Sequence, residues 1–183
     1  MSENLEKEDR NRQQQETDAM GKTMMIIAWT IAIGLSAWFF GILEDKQLNP
    51  NQSPSTINNQ NSVIVELIRN KYGHYVATGL VDNREVVFML DTGATHVAIP
   101  GALEDYLNLQ RGQSYYVHTA NGRAKAYATK IDKLEIGGII LRNIKAAISP
   151  TMQGEEILLG MSALKQLEFR QKGNKLTLVQ PKY

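Results

Sequence analysis

The sequence predicts an all-β domain with one short helix, placed behind a single long apolar helix. Three observations carry that prediction. From Val63 onward, short runs rich in β-branched and aromatic residues alternate with turn-forming pairs. Within that region only Ser162–Leu167 has helical composition, with Ser162 placed as its N-cap. Ahead of it, Thr23–Leu43 runs for 21 residues without a charged side chain. As a helix that stretch is about 30 Å long, the thickness of a bilayer's hydrocarbon core.

Taken in order, residues 1–22 are polar, Gln-rich and without apolar periodicity, and they read as a disordered cytoplasmic tail. Residues 23–43 read as a transmembrane helix. Trp38, Phe39 and Phe40 gather near its far end, as an interfacial aromatic belt does. The leader is acidic and long, and the apolar run ends in Gly41-Ile42-Leu43-Glu44, which distinguishes it from a cleavable signal peptide with its basic start and small-x-small end. Lys7, Arg10, Arg12 and Lys22 precede the span and only Lys46 follows closely. The positive-inside rule therefore puts the N-terminus in the cytoplasm and the remainder outside. Ala28, Ala32 and Ser36 recur at helical spacing and offer a small-residue packing face. Residues 44–62 are Asn-, Gln-, Ser- and Pro-rich and read as a flexible linker, open to proteolytic nicking.

Residues 63–183 read as one domain. Val63–Ile68 is a strand by composition. His74–Val81 and Glu85–Leu90 flank Asp82-Asn83-Arg84, a hairpin signal. Tyr115–Thr119 and Ala124–Ile131 flank Asn121-Gly122, the strongest short-range hairpin signal. Leu134–Ile136, Ile139–Leu141 and Ile144–Ile148 are further strands. Phe169-Arg170 and Lys175–Val179 close the chain as a hairpin about Lys172-Gly173-Asn174.

The charge balance narrows the chemistry. A formal net charge of +1 without a dense basic cluster argues against nucleic acid as a partner. The absence of cysteine excludes disulfides, a thiol nucleophile and Cys-ligated zinc. The informative stretch is Asp91-Thr92-Gly93-Ala94, delivered by the apolar run Val86–Leu90 and followed by Val97-Ala98-Ile99. A carboxylate at the end of a buried strand is costly unless it has a partner, a proton or a task. Thr92 supplies a short hydroxyl, and Gly93 permits close backbone approach. A strand-ending turn explains the same residues without any chemistry.

Residues 63–181 resemble the retropepsin-like aspartic proteases, specifically their single-lobe, membrane-anchored bacterial type. Three features carry the resemblance, in order along the chain: Asp91-Thr92-Gly93-Ala94, the hairpin of about residues 115–128, and Ile157-Leu158-Leu159-Gly160 with the helix Met161–Leu167. The resemblance implies an acid-protease half-barrel in which Asp91 is catalytic and Thr92, Gly93 and Ala94 form the active-site loop. It makes Asn121 and Gly122 the tip of a mobile flap and runs the Ile157–Gly160 segment beneath the loop. An aspartic protease needs two carboxylates about one water, and no second D-[T/S]-G occurs here. The resemblance therefore implies a homodimer with its site on the two-fold axis. It also implies a polypeptide substrate, no cofactor and no metal. For a bacterial chain the location is the inner membrane, with the protease domain in the periplasm. Thr95 and Met161 stand where retroviral members carry an acid and an arginine, so the dimer-steadying ion pair of those enzymes is missing. A catalytically inactive domain of this fold, binding peptides or dimerising, is the alternative that these residues leave open.

Other chemistry finds less support. His74, His96 and His118 lack metal-ligand spacing. His96 follows Asp91 by five residues, near enough to line the site, although its place reads first as an ordinary strand surface. There is no G-x-S-x-G elbow. Gly21-Lys22-Thr23 imitates the end of a phosphate loop, but residue 16 is Glu where that loop needs Gly.

Overall fold

The structure is a computed structural model describing residues 2–119 and 122–182. It divides into two compact units, Met1–Glu44 and Asp45–Tyr183. The first belongs to α1 (Ser2–Leu48), which begins well before Thr23. The polar segment expected to be disordered is thus helical, because a strong apolar helix extends readily into Glu-, Lys- and Gln-rich sequence of good helix propensity. Residues 21–47 are exposed throughout, Trp29, Ile33, Trp38 and Phe40 included. By length and composition, Gly21–Leu48 is a helix able to cross a membrane.

The second unit begins earlier than expected. Asn51 is buried, and its side chain fastens the chain to two strands. Its Nδ2 donates to Ile68 O at 2.8 Å and Val76 O at 2.6 Å, and its Oδ1 accepts from Ile68 N at 2.7 Å. β1 (Ser55–Asn58) then pairs with β2 (Ser62–Ile68). The 44–62 segment is therefore largely folded rather than a flexible linker. Its polar composition misleads because Asn51 turns each of its hydrogen-bonding groups onto backbone, and because β1 is an exposed edge strand that buries no side chain.

The remaining elements are β3 (Val76–Val81), β4 (Arg84–Leu90), β5 (Val97–Pro100), α2 (Glu104–Leu107), β6 (Ser114–Thr119), β7 (Gly122–Ile136), β8 (Ile139–Ser149), β9 (Glu156–Leu159), α3 (Met161–Leu164), β10 (Glu168–Lys172) and β11 (Lys175–Pro181). Seven strands form one sheet in the order β3-β4-β9-β5-β8-β7-β6, which curls until β3 also meets β7. The second sheet has the order β1-β2-β11-β10. Val65, Leu67, Phe88, Ile99, Ile131, Ile144, Ile157 and Leu178 are completely enclosed in a common core. Burial alternates strictly along β2, as a half-buried strand requires.

Local chemistry explains the turns and some surprises. Asp82 and Asn83 have φ of 48° and 68°, the left-handed pair that a two-residue type I′ hairpin needs. β7 and β8 are each continuous where the sequence suggests two strands. Asp132-Lys133 simply sits in β7 with Asp132 exposed, and Asn143 (φ 56°) introduces a local irregularity without ending β8. The short α2, preceded by a 3-10 turn at Gly101–Leu103, has no sequence signal beyond its burial of Leu107.

Candidate active site

Asp91 closes β4, a strand whose neighbours fix it on both sides. β4 runs parallel to β9, pairing Leu90 with Leu159, and antiparallel to β3. Asp91 N donates to Leu159 O at 3.2 Å, and Ala94 N returns to Asp91 O at 3.2 Å to make a tight turn. The half-buried Asp91 carboxylate accepts from Gly93 N through Oδ1 at 2.8 Å. Its second oxygen is thereby left for other chemistry.

The chain crosses beneath this loop at Gly160. Met161 N donates to Ala94 O at 2.8 Å, and Ser162 N donates to Thr95 O at 2.9 Å. A Cβ on Gly160 would lie 2.3 Å from His96 O and 2.7 Å from Ala94 O, so only glycine permits the crossing. Ser162 is not the N-cap of α3; that place is taken by Gly160, which makes no side-chain cap bond. Ser162 Oγ instead accepts from Val97 N at 3.0 Å and donates to Lys145 O at 2.7 Å, tying β5 to β8. Thr95 and Met161, which lack charge, thus contribute backbone hydrogen bonds at this crossing.

Above the loop, β6 and β7 form the hairpin, pairing Ser114 with Tyr127 and Thr119 with Gly122. Its base is tied down. Gly112 N bonds Ala128 O at 2.7 Å, and Thr129 Oγ1 donates to Gln110 O at 2.9 Å. Arg111 makes a forked ion pair with Glu104 and stacks 4.6 Å from the Tyr127 ring centroid. The Glu104 hydrogen bonds hold the Arg111 guanidinium above its ordinary pKa. The tip is open: Gly122 has φ 104° and no atom within 4 Å of its would-be Cβ. Asn121, expected beside it, lies outside the described residues.

Between hairpin and loop is a cleft of about 1320 Å³. Asp91, Gly93, Ala94 and Gly122 line it together, whereas Thr92 is exposed on the turn and does not. His96 and His118 also line the cleft, which corrects the reading of His96 as an ordinary strand-surface residue. His96 Nδ1 is buried without a protein hydrogen-bond partner among the described residues. The backbone path from Asp91 through the turn into β5 brings it there, as its place five residues after Asp91 allows. Among the described lining residues Asp91 is the sole carboxylate.

Comparison with known proteins agrees with this geometry. Residues 77–166 match the family model described as gag-polyprotein putative aspartyl protease. The chain is 33% identical over 115 residues to a Sinorhizobium protein described as "Uncharacterized protein in cobV 5′ region". That match takes in 61% of this chain and 48% of the relative, so the chain spans about half the length of the curated protein it matches. Among solved structures, a retropepsin-like aspartic protease from Rickettsia conorii superimposes with a TM-score of 0.57 and 26% identity, over 68% of this chain and 98% of that one. EIAV protease complexed with the inhibitor HBY-793 gives a TM-score of 0.42 and 18% identity over 52% of this chain and 89% of that one.

Proposed function

We propose that this chain, whose globular domain belongs to the retropepsin-like aspartic protease family, is a membrane-anchored endopeptidase acting as a homodimer. The observation that carries the proposal is Asp91, the sole carboxylate among the described residues lining a peptide-sized cleft. One carboxylate cannot both take a proton from water and polarise the scissile carbonyl. The second must come from Asp91 of another copy.

In the resulting dyad, two like charges held together share one proton. The ionised carboxylate takes a proton from the bound water, whose oxygen attacks the carbonyl carbon. The protonated carboxyl gives its proton to the carbonyl oxygen, forming a neutral tetrahedral diol. As the C–N bond breaks, one proton passes to the leaving amine and a diol proton returns to the dyad, restoring it. Asp91 Oδ1 stays oriented by Gly93 N–H, which reduces the freedom lost on reaching the reactive geometry. In this reading Thr92, exposed on the turn, hydrogen-bonds across the dimer axis, and Gly93 and Ala94, which line the cleft, accept close approach by substrate. The flap, with Asn121 and Gly122 at its tip, closes over an extended peptide and supplies backbone hydrogen bonds.

The exposed apolar helix supports anchoring, since lipid is the medium that covers such a surface without cost. The charge bias of its flanks supports a cytoplasmic N-terminus and extracytoplasmic substrates, in the periplasm for a bacterial cell. Anchoring also raises the local concentration of copies, compensating for the missing ion pair at Thr95 and Met161.

The test is proteolysis of an unfolded protein mixture by full-length chain in vesicles, beside Asp91→Asn. The asparagine keeps the Gly93 hydrogen bond, so the variant folds and loses all cutting. Cutting that survives the substitution refutes the assignment.

A further inference from the structure

Charge is distributed one-sidedly about the cleft. Asp91 is the sole carboxylate among the described lining residues, whereas Arg123, Lys125, His96 and His118 also line it. Glu155 and Glu156 follow the lining residue Gln153 closely along the chain, but they do not line the cleft themselves. The two permanent cations both come from the flap hairpin.

Local packing holds both of them in place. Along β7, Ala124 is half-buried and Ala126 is fully enclosed, while Arg123 and Lys125 are exposed. Strand alternation therefore puts Arg123, Lys125 and Tyr127 together on the outer face of the hairpin. There the Arg123 guanidinium lies 4.0 Å from the Tyr116 ring centroid, and the Lys125 ammonium lies 5.3 Å from that of Tyr127. An aromatic ring steadies a cation without neutralising it. Arg111 shares the Tyr127 ring but is engaged by Glu104. Arg123 and Lys125 have no ion-pair partner among the described residues.

The backbone beside these cations is open. β7 pairs with β6 from Gly122 to Tyr127, but its pairing with β8 starts only at Tyr127, opposite Ile148. The edge from Arg123 to Ala126 is thus free of β8, and Ala147 and Ser149 line the cleft close by. An extended peptide that pairs along this edge sets alternate side chains on the face that carries Arg123 and Lys125. Those two stand two residues apart, about 6.6 Å along a strand, which is also the repeat of alternate residues in the peptide. Charge beside a free edge also discourages pairing with stray chains. That role is served by either sign and requires no ring beneath the cation.

We propose that Arg123 and Lys125 select substrates by charge, favouring acidic polypeptides with Asp or Glu two residues apart in the stretch that lies against the flap. This rests on the protease reading above and deepens it by naming the class of chain that is cut. A carboxylate at either position gains an exposed ion pair, whereas a lysine there meets repulsion. One pair of that exposure favours a substrate by about 1.5- to 5-fold, and the two together by about 2- to 25-fold. The preference weakens as salt rises.

The test is digestion of a peptide library made from an unfolded proteome, with full-length chain in phosphatidylcholine vesicles and the cuts read by mass spectrometry. The residues flanking each cut are scored against the library background. Wild type is expected to enrich Asp and Glu there by about two-fold or more. The double variant Arg123→Glu, Lys125→Glu is expected to enrich Lys and Arg in their place. Asp91-dependent cuts with acids at background level, or an acid preference unmoved by the charge reversal, overturn the selection alone. The digest is repeated with phosphatidylglycerol in the vesicles, where the acid preference is expected to persist. Its disappearance there assigns the face to lipid headgroups and overturns the selection. A library without a single cut that Asp91→Asn abolishes overturns the protease reading, and the selection with it.

Discussion

The most demanding prediction concerns Gly160. Its φ is −84° and its ψ is −177°, an extended conformation open to any residue, so Gly160→Ala introduces no backbone strain. The whole effect is steric. The new methyl would lie 2.3 Å from His96 O and 2.7 Å from Ala94 O. Both obstacles are backbone, and relief requires the two segments to part by about 1 Å, a degree of overpacking that costs about 1–3 kcal/mol. Parting them weakens the bonds Met161 N–Ala94 O and Ser162 N–Thr95 O, each worth about 1 kcal/mol. The total is about 3–5 kcal/mol, a fall in Tm on the order of 10 °C. Because Ala94 N is bonded to Asp91 O, the displacement reaches the Asp91 turn. A shift of about 1 Å there lowers kcat/KM by about 100-fold. Thermal unfolding and peptide hydrolysis are measured on the same preparation. A Tm within about 2 °C of the parent would refute the close crossing from which the site geometry is argued.

Other predictions follow from single contacts. Ser162→Ala strands the Val97 N–H and Lys145 carbonyl in the interior, lowering stability by about 1–3 kcal/mol in urea denaturation, whereas a true N-cap loss would leave Val97 amide exchange unchanged. Asn51→Ala removes three hydrogen bonds at a buried site and destabilises the domain by about 2–4 kcal/mol; an unaffected midpoint would restore the flexible-linker description. Mixing equal amounts of wild-type and Asp91→Asn chain in one membrane leaves wild-type pairs at about one quarter of all dimers. Activity per wild-type chain then falls by about half, and an unchanged value would mean that one subunit suffices.

The sequence is most legible where backbone conformation demands a residue type. Asp82-Asn83 and Gly173 mark their hairpins because left-handed φ suits few side chains. The order of Asp91-Thr92-Gly93, hairpin and Leu158-Leu159-Gly160 carries the fold because each is local. Less legible are bonds made at a distance. Ser162 looks like a cap since its partner amide at Val97 is 65 positions away. Asn51 looks like linker because nothing in Asn-Gln-Ser-Pro composition reveals that Ile68 and Val76 await its amide. Polar pairs inside β7 and β8 read as breaks because outward-facing positions in a strand accept any charge. His96 joins the cleft through the turn's three-dimensional path.

The second sheet has a consequence for how the domain comes into being. β2 lies beside β11, with Glu66 and Lys175 paired across 109 positions of chain. During synthesis β2 emerges early, with one hydrogen-bonding edge unfilled until residue 181 has been made. Closing so large a loop is slow and entropically costly. The nascent chain thus spends most of its manufacture incomplete, exposing a sticky border that passing chaperones or export machinery must shield. Products that stop short of β11 lack the strand between β2 and β10, so ribosomal drop-off yields debris for clearance rather than a partly folded domain.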